Sequence, residues 1–325
     1  MRAVVVDPSS GSLTLTDRPD PLPGPGQLLV RVRAAGLNRA DLFARTGAYR
    51  TGHPTRVPQP FVGGGELAGE IEAVGPDVQG WEPGQRIMAM GQGWCDVAVV
   101  DAGLALPVPD SYSWEEAGGT PVTLLTAHDA LRTNGGWASG DSVLIHAVSS
   151  GVGVAALRLA DALGASLIMG TSRSPAKLAV LQELGLHVGI DLEHESLPEV
   201  VARHTDGGVD VVVDNVGASV LGPTIEAAAV QARIVQVGRL GGRHATLDLD
   251  ELARKRISLI GVTFRTRTRD ERAEVVRACR ADVGDALAAG RLRPVVARAF
   301  PLADVEAALD ALARDQHVGK LVLLP

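Results

Sequence analysis

Along the first hundred or so residues, apolar positions come in short runs, at 3–6, 28–32, 70–74, 86–90 and 97–100, separated by Gly and Pro turns. Such runs predict a compact, partly antiparallel β domain over residues 1–118. After Pro107 and Pro109 the pattern changes: SWEEAGG leads into PVTLLTAHDALRTN, whose apolar residues recur at helical spacing. From there, apolar strand candidates at 142–147, 166–169, 188–190, 209–214, 233–237 and 257–262 alternate with helix-like segments. Strands buried on both faces read as unbroken apolar runs, so residues 119–264 are expected to form an α/β, doubly wound parallel sheet. Residues 265–325 return to mixed texture, with a helix pattern, a strand at 295–300, the helix LADVEAALDALARD and a last strand, KLVLLP. This tail is expected to rejoin the first domain.

The length of 325 residues fits two cores better than one. A composition 46% hydrophobic and 21% charged is that of a globular chain. The formal net charge of −7 works against nucleic acid or an anionic membrane as the main ligand. No run of 18 apolar residues could span a bilayer, and MRAVVVD lacks the basic start of a signal peptide, so the cytoplasm is the expected compartment. Cys95 and Cys279 form no CxxC pair and are expected to be buried and inert. The excess of arginine, 28 against three lysines, carries no function of its own.

The most informative stretch begins at Asp141: DSVLIHAVSSGVGVAALRLADALGASLIMGTSRSPAKL, a strand, a small-residue turn, a helix, a strand and a polar loop. Gly151, Gly153 and Ala156 make G-x-G-x-x-A between strand and helix, where missing side chains, with the Gly151-Val152-Gly153 backbone, let a pyrophosphate sit at the helix N-terminus. The second strand ends about twenty residues on, where an acid would grip an adenosine ribose. The residues there are Thr171, Ser172, Arg173 and Ser174, with Lys177 one turn later. Hydroxyls and cations suit a 2′-phosphate that an Asp would repel, which predicts NADPH as cofactor.

Several segments resemble the quinone-oxidoreductase branch of the medium-chain dehydrogenase/reductase superfamily, with its zeta-crystallin-like and p53-inducible members. They are GLNRADLFARTGAY from Gly36, GGGELAGEIEAVG from Gly63, TLLTAHDAL from Thr123, IHAVSSGVGVAALRLADALGA from Ile145, DNVG from Asp214, VGRLGG from Val237 and HVGKLVL from His317. Their order covers nearly the whole chain. The resemblance implies a GroES-like mixed β catalytic domain built from both chain ends, a Rossmann domain between them, and NADPH in a cleft with its nicotinamide facing the substrate. It also implies a homodimer through the last Rossmann strand, at 257–262. Zinc-dependent relatives carry ligands where this chain has Asn38, Gly65 and the Pro121–Val122 region, so the resemblance implies metal-free hydride transfer.

Such a transfer needs a donor near the substrate oxygen, where negative charge builds up. The resemblance gives this role to Tyr49, by hydrogen bonding or proton transfer. It places Asn38 and Thr126 at the nicotinamide, and Gly238, Asn215, Phe264, His317 and Lys320 along the cofactor cleft. Ser150 matches a turn serine that touches nicotinamide, substrate or pyrophosphate, or is simply a small turn residue. His53 and His146 read as structural. Two positions depart from the family pattern. Val148 stands where many relatives have Gly or Ala, and Leu192 where many have a tyrosine on the 2′-phosphate. The expected reaction is reduction of a quinone or electron-poor alkene. The alternatives are a 2-enoyl thioester reductase of a polyketide or fatty-acid pathway and a non-enzymatic NADPH-binding protein.

Overall fold

The structure is a computed structural model that describes residues 1–45 and 59–325. Tyr49 and His53 lie outside the described residues. The first segment runs β1 (Arg2–Asp7), β2 (Ser12–Asp17), β3 (Gln27–Gly36), α1 (Arg39–Arg45), β4 (Phe61–Val62), β5 (Glu66–Val74), β6 (Arg86–Met90), β7 (Val97–Asp101), β8 (Ala105–Pro107) and α2 (Trp114–Gly118). Next come α3 (Pro121–His128), β9 (Ser142–Ile145), α4 (Gly151–Ala162), β10 (Leu167–Ser172), α5 (Pro175–Gln182), β11 (Val188–Asp191), α6 (Leu197–His204), β12 (Val209–Asp214), α7 (Ala218–Ala227), β13 (Ala228–Gln236), α8 (Leu249–Arg254) and β14 (Ser258–Gly261). The chain finishes with α9 (Arg269–Ala288), β15 (Val296–Pro301), α10 (Val305–Arg314) and β16 (Lys320–Leu324). No described helix is long and apolar enough to cross a membrane.

Two compact units result: residues 1–123 with 264–325, and residues 124–263. In the first, a seven-stranded sheet has the order β15-β16-β3-β5-β6-β8, with β7 paired to β3, beside a three-stranded sheet β2-β1-β4. β3 alternates as a strand with one covered face must: Leu28, Val30 and Val32 are buried, while Arg31 and Arg33 are exposed. β16 pairs antiparallel with β3, matching Val322 to Gly36 and Leu323 to Ala35, which places Lys320 beside the end of β3. Gly63 and Gly64 are needed for packing, since a Cβ on either would come within 2.1 or 2.7 Å of the buried Trp94 ring.

The second unit holds the order β11-β10-β9-β12-β13-β14, and every pairing in it is parallel. The apolar runs behave as their composition demands: Val143, Leu144, Ile145, Val211, Val212 and Val213 are fully buried. Strand order reverses between β9 and β12, and loops at that switch point are where a doubly wound sheet presents a ligand site. The predicted strand at 142–147 ends earlier, at Ile145, because His146 opens a turn and Ala147 takes φ +49°. The PVTLLTAHDALRTN segment is regular only to His128; it then widens, and Gly135 N bonds back to Ala130 O at 2.8 Å.

Candidate functional site

The turn after β9 is built by a cap. Ser150 precedes α4, and its Oγ accepts from Gly153 N at 3.0 Å while its carbonyl accepts from Val154 N at 2.8 Å. The first bond satisfies the Gly153 amide, one of those a helix start leaves without partners, and the second is the first intrahelical bond; the Gly151 and Val152 amides are left for an anion. Gly153 is required: a Cβ there would meet Ala147 O at 2.4 Å and Val148 O at 2.6 Å. A pyrophosphate therefore fits the residues present. The structure gives the Ser150 hydroxyl a capping role that sequence reading left open. It also settles Val148, which is buried with its side chain over Gly170, where a Cβ would come within 2.7 Å of Val148 Cβ. The larger residue in the turn is accommodated by the missing side chain in β10.

The loop after β10 places Ser172 almost buried, its Oγ accepting from Ser174 N at 3.1 Å. Arg173 is exposed and Lys177 half-buried at the start of α5. Leu192 packs against the apolar core of the unit, with its amide bonded to Ser172 O at 3.0 Å. After β12, Asp214 Oδ1 accepts from Val216 N and Gly217 N, both at 2.8 Å, and Asn215 Nδ2 donates to His146 O at 3.0 Å. Gly238 lies so close that a Cβ would sit 2.0 Å from Asn215 O. Thr126 is half-buried in α3. Burial lowers the His146 imidazole to about 4, against the raising effect of Asp214, so it is neutral at physiological pH.

In the other unit, Asn38, Glu66 and Lys320 meet. Glu66 is fully buried and Lys320 is 3% exposed, and their ion pair spans 2.7 Å. Lys320 Nζ also donates to Leu37 O at 2.6 Å and Asn38 Oδ1 at 2.9 Å. An ammonium has three protons, and all three are taken, so Lys320 is the centre of a buried ion pair and offers no proton to a cofactor. Glu66 also accepts from Asn38 Nδ2 at 2.8 Å and from Val122 N at 2.7 Å. The Asn38 amide, expected at the nicotinamide, is thus committed to this cluster through both its oxygen and its nitrogen. Phe264 has Arg267 stacked 5.0 Å from its ring centroid, and His317 is half-buried.

The three positions that would hold zinc do not fit the metal. Asn38 is committed as described, Gly65 has no side chain, and Val122 contributes a backbone N–H already given to Glu66. A catalytic zinc needs about three His, Cys or carboxylate ligands. Nothing crowds Gly65, where a Cβ would meet only Asn38 Nδ2, at 4.0 Å.

Residues 24–110 match the alcohol dehydrogenase GroES-like domain, and residues 151–280 match the family described as zinc-binding dehydrogenase. A quinone oxidoreductase from Pseudomonas aeruginosa is 31% identical over 312 residues, covering 93% of this chain and 92% of that protein. The chain belongs to the quinone-oxidoreductase branch of the medium-chain dehydrogenase/reductase superfamily. The GroES-like mixed sheet and the Rossmann sheet described above are the two domains of that superfamily's fold. The quinone oxidoreductase of Thermus thermophilus, solved alone and with NADPH, matches with a TM-score of 0.84 at 31% identity over 100% of both chains. The spectinabilin polyketide synthase system protein NorB of Streptomyces orinoci is 36% identical over 302 residues, 92% of this chain. The chain spans between 8% and 13% of the length of the polyketide synthases it matches.

Sequence reading missed Glu66 and Asp41. Each carried a signal: Glu66 heads β5 directly before Leu67 and Ala68, and Asp41 is an acid in the first turn of α1. Asp41 Oδ2 accepts from Asn38 N at 2.7 Å, and Asp41 is 8% exposed. Burial pushes its carboxyl up to about 7, opposed by the Asn38 amide and by Lys320 and reinforced by Glu66. A raised carboxyl binds its proton more tightly folded than unfolded, so stability is highest below about pH 4 for this group and is lost as pH rises towards 7. At about 1.4 kcal/mol for each tenfold change in proton affinity, the loss amounts to a few kcal/mol. Asp41→Asn is expected to flatten that part of the pH–stability curve, measured by thermal melts from about pH 4.5 to 8. Parallel curves for the two proteins would show that Asp41 ionises normally.

Proposed function

We propose that this chain is an NADPH-dependent oxidoreductase that reduces a quinone or electron-poor alkene without a metal ion. The observation that carries the reading is the βαβ unit of β9, α4 and β10. It has a capped, glycine-lined turn at the helix start, and a strand that ends at Ser172 and is followed by Arg173 with no acid. The NADPH complex of the Thermus relative supports the same cofactor.

When bound, NADPH supplies the hydride. The Gly151 and Val152 amides bind its pyrophosphate at the positive end of α4. Ser172, Arg173 and Lys177 bind the 2′-phosphate, which an aspartate at that place would repel. Asn215 and Gly238 shape the ends of β12 and β13 beside the turn, and the family resemblance supports assigning Thr126, Phe264 and His317 to the cofactor as well. Tyr49 donates a hydrogen bond to the substrate oxygen as negative charge develops there. Asn38 acts through Glu66 and Lys320, holding the start of α1, the helix that leads towards Tyr49. The zinc-ligand positions are spent on an ion pair and a glycine, so a tyrosine hydroxyl in place of a metal polarises the substrate.

A second reading is reduction of a 2-enoyl thioester, favoured by the 36% identity to a portion of a polyketide synthase. Steady-state turnover with NADPH against quinones, enones and 2-enoyl thioesters separates the two. Quinone or enone turnover supports the first and thioester turnover the second. Tight NADPH binding with no turnover on any of them leaves a nucleotide-binding protein without redox activity. With the best substrate, Tyr49→Phe is expected to lower kcat about a hundredfold, the usual cost of one donor to a developing oxyanion. Unchanged kcat would remove Tyr49 from the mechanism.

We also infer a homodimer through β14. It is one of the two edges of the Rossmann sheet, short, with Leu259 43% exposed, and pairing two copies of it about a two-fold axis hides both. Sedimentation equilibrium is expected to give twice the chain mass; a monomer at micromolar concentration would rule the dimer out.

A further inference from the structure

His146 and Thr171 lie beneath the nucleotide turn, and together they tie its two phosphate-binding segments to each other. Thr224 Oγ1 donates to Val220 O at 2.6 Å, so it accepts from His146 Nε2–H at 2.8 Å. With its proton on Nε2, the ring has a bare Nδ1, which accepts from Thr171 Oγ1–H at 3.0 Å. Thr171 Oγ1 in turn accepts from Ala147 N at 3.3 Å. The main chain adds a second link, Val148 N to Thr171 O at 3.0 Å. The Ala147 amide, Thr171, His146 and Thr224 thus form one relay in which every donor points from the turn towards α7, and its three side chains are fully or almost fully buried.

Thr171 therefore holds Ala147 and Val148, which open the pyrophosphate turn, and it immediately precedes Ser172 and Arg173, which open the 2′-phosphate loop. Ala147 is held in the left-handed region, at φ +49°, a conformation that costs an alanine about 1–2 kcal/mol and needs surrounding bonds to fix it. We propose that the His146–Thr171 relay is a positioning device for cofactor choice. It sets the spacing between the turn that takes the pyrophosphate, common to both nicotinamide nucleotides, and the loop that takes the 2′-phosphate, present only in NADPH. This rests on the NADPH reading above.

The relay does not touch the cap within the turn, because Ser150 Oγ and O bond Gly153 and Val154 locally. Loosening it should therefore spare nucleotides held by the pyrophosphate alone. Thr171→Val keeps the volume and removes both hydroxyl bonds. Nucleotide binding to the full chain is followed by protein fluorescence, with NADPH, NADH and 2′,5′-ADP as probes. The valine variant is expected to raise the Kd of NADPH and of 2′,5′-ADP about tenfold and leave NADH within about twofold, a split that a general loosening of the fold would not produce. Thr171→Ser, which keeps the hydroxyl, is expected to restore the wild-type pattern.

An unchanged NADPH Kd in Thr171→Val, or equal losses for NADPH and NADH, would overturn the relay while leaving the cofactor reading intact. A wild-type chain that binds the two nucleotides equally would overturn the cofactor reading, and the relay's role with it. Should Thr171→Val fail to fold, His146→Gln carries the same comparison from the other side of the bond.

Discussion

Lys320→Met is expected to cost about 3–5 kcal/mol of stability, the range for removing one partner of a buried ion pair. Methionine reproduces much of the lysine stem, so the loss comes from charge and not from a cavity. The Glu66 carboxylate, fully buried, would keep only the Asn38 amide and the Val122 N–H as donors. Leu37 O and Asn38 Oδ1 would lose their donor as well. At roughly 2–4 °C of Tm per kcal/mol for a domain of this size, thermal melting should shift down by about 10 °C. Adding Glu66→Gln should recover much of the shift, because it removes the stranded charge. A single variant that melts within about 2 °C of wild type would mean that water reaches the pair and solvates it.

The second large effect concerns the cofactor. Arg173→Ala combined with Lys177→Ala is expected to weaken NADPH binding about a hundredfold and to leave NADH within about twofold. Bonds between charged groups contribute about 1.5–3 kcal/mol each, and the partial exposure of this loop keeps the sum near the lower end. The wild-type preference should also shrink as salt rises, since exposed charges are screened over about 10 Å at 0.1 M ionic strength. Isothermal titration at two salt concentrations measures both. Equal weakening of the two nucleotides would place these cations outside the 2′-phosphate site.

The Rossmann sheet was legible because its strands are buried on both faces: Val143–Ile145 and Val211–Val213 are unbroken apolar stretches, and a covered parallel strand is where such stretches belong. Where the reading slipped, a local geometry outranked the apolar run. The strand at 142–147 ends at Ile145, because the chain must turn through Ala147 to deliver Ser150 to the start of α4. The small-residue turn was legible for the same kind of reason, since Gly153 sits where backbone atoms leave no room for a Cβ. What Val148 does could not be read from the turn alone. It depends on Gly170, in the neighbouring strand, having no side chain.

The cluster in the other unit was hidden for a different reason. Lys320 stands in a motif that reads as cofactor lining, and Asn38 in one that reads as nicotinamide contact. What engages them is an acid 254 residues from the lysine and 28 from the asparagine. Periodicity and composition report on neighbours along the chain, so they determined the strands, the parallel sheet, the helix start built for a phosphate and the missing acid after β10. The pairing of β16 with β3, the burial of Glu66, and the imidazole that ties Thr171 to the turn were decided only by the tertiary structure. Those groups interact because folding excludes water between residues distant in sequence, and in that dry setting each donor and acceptor must be matched by whichever partner the fold brings to it.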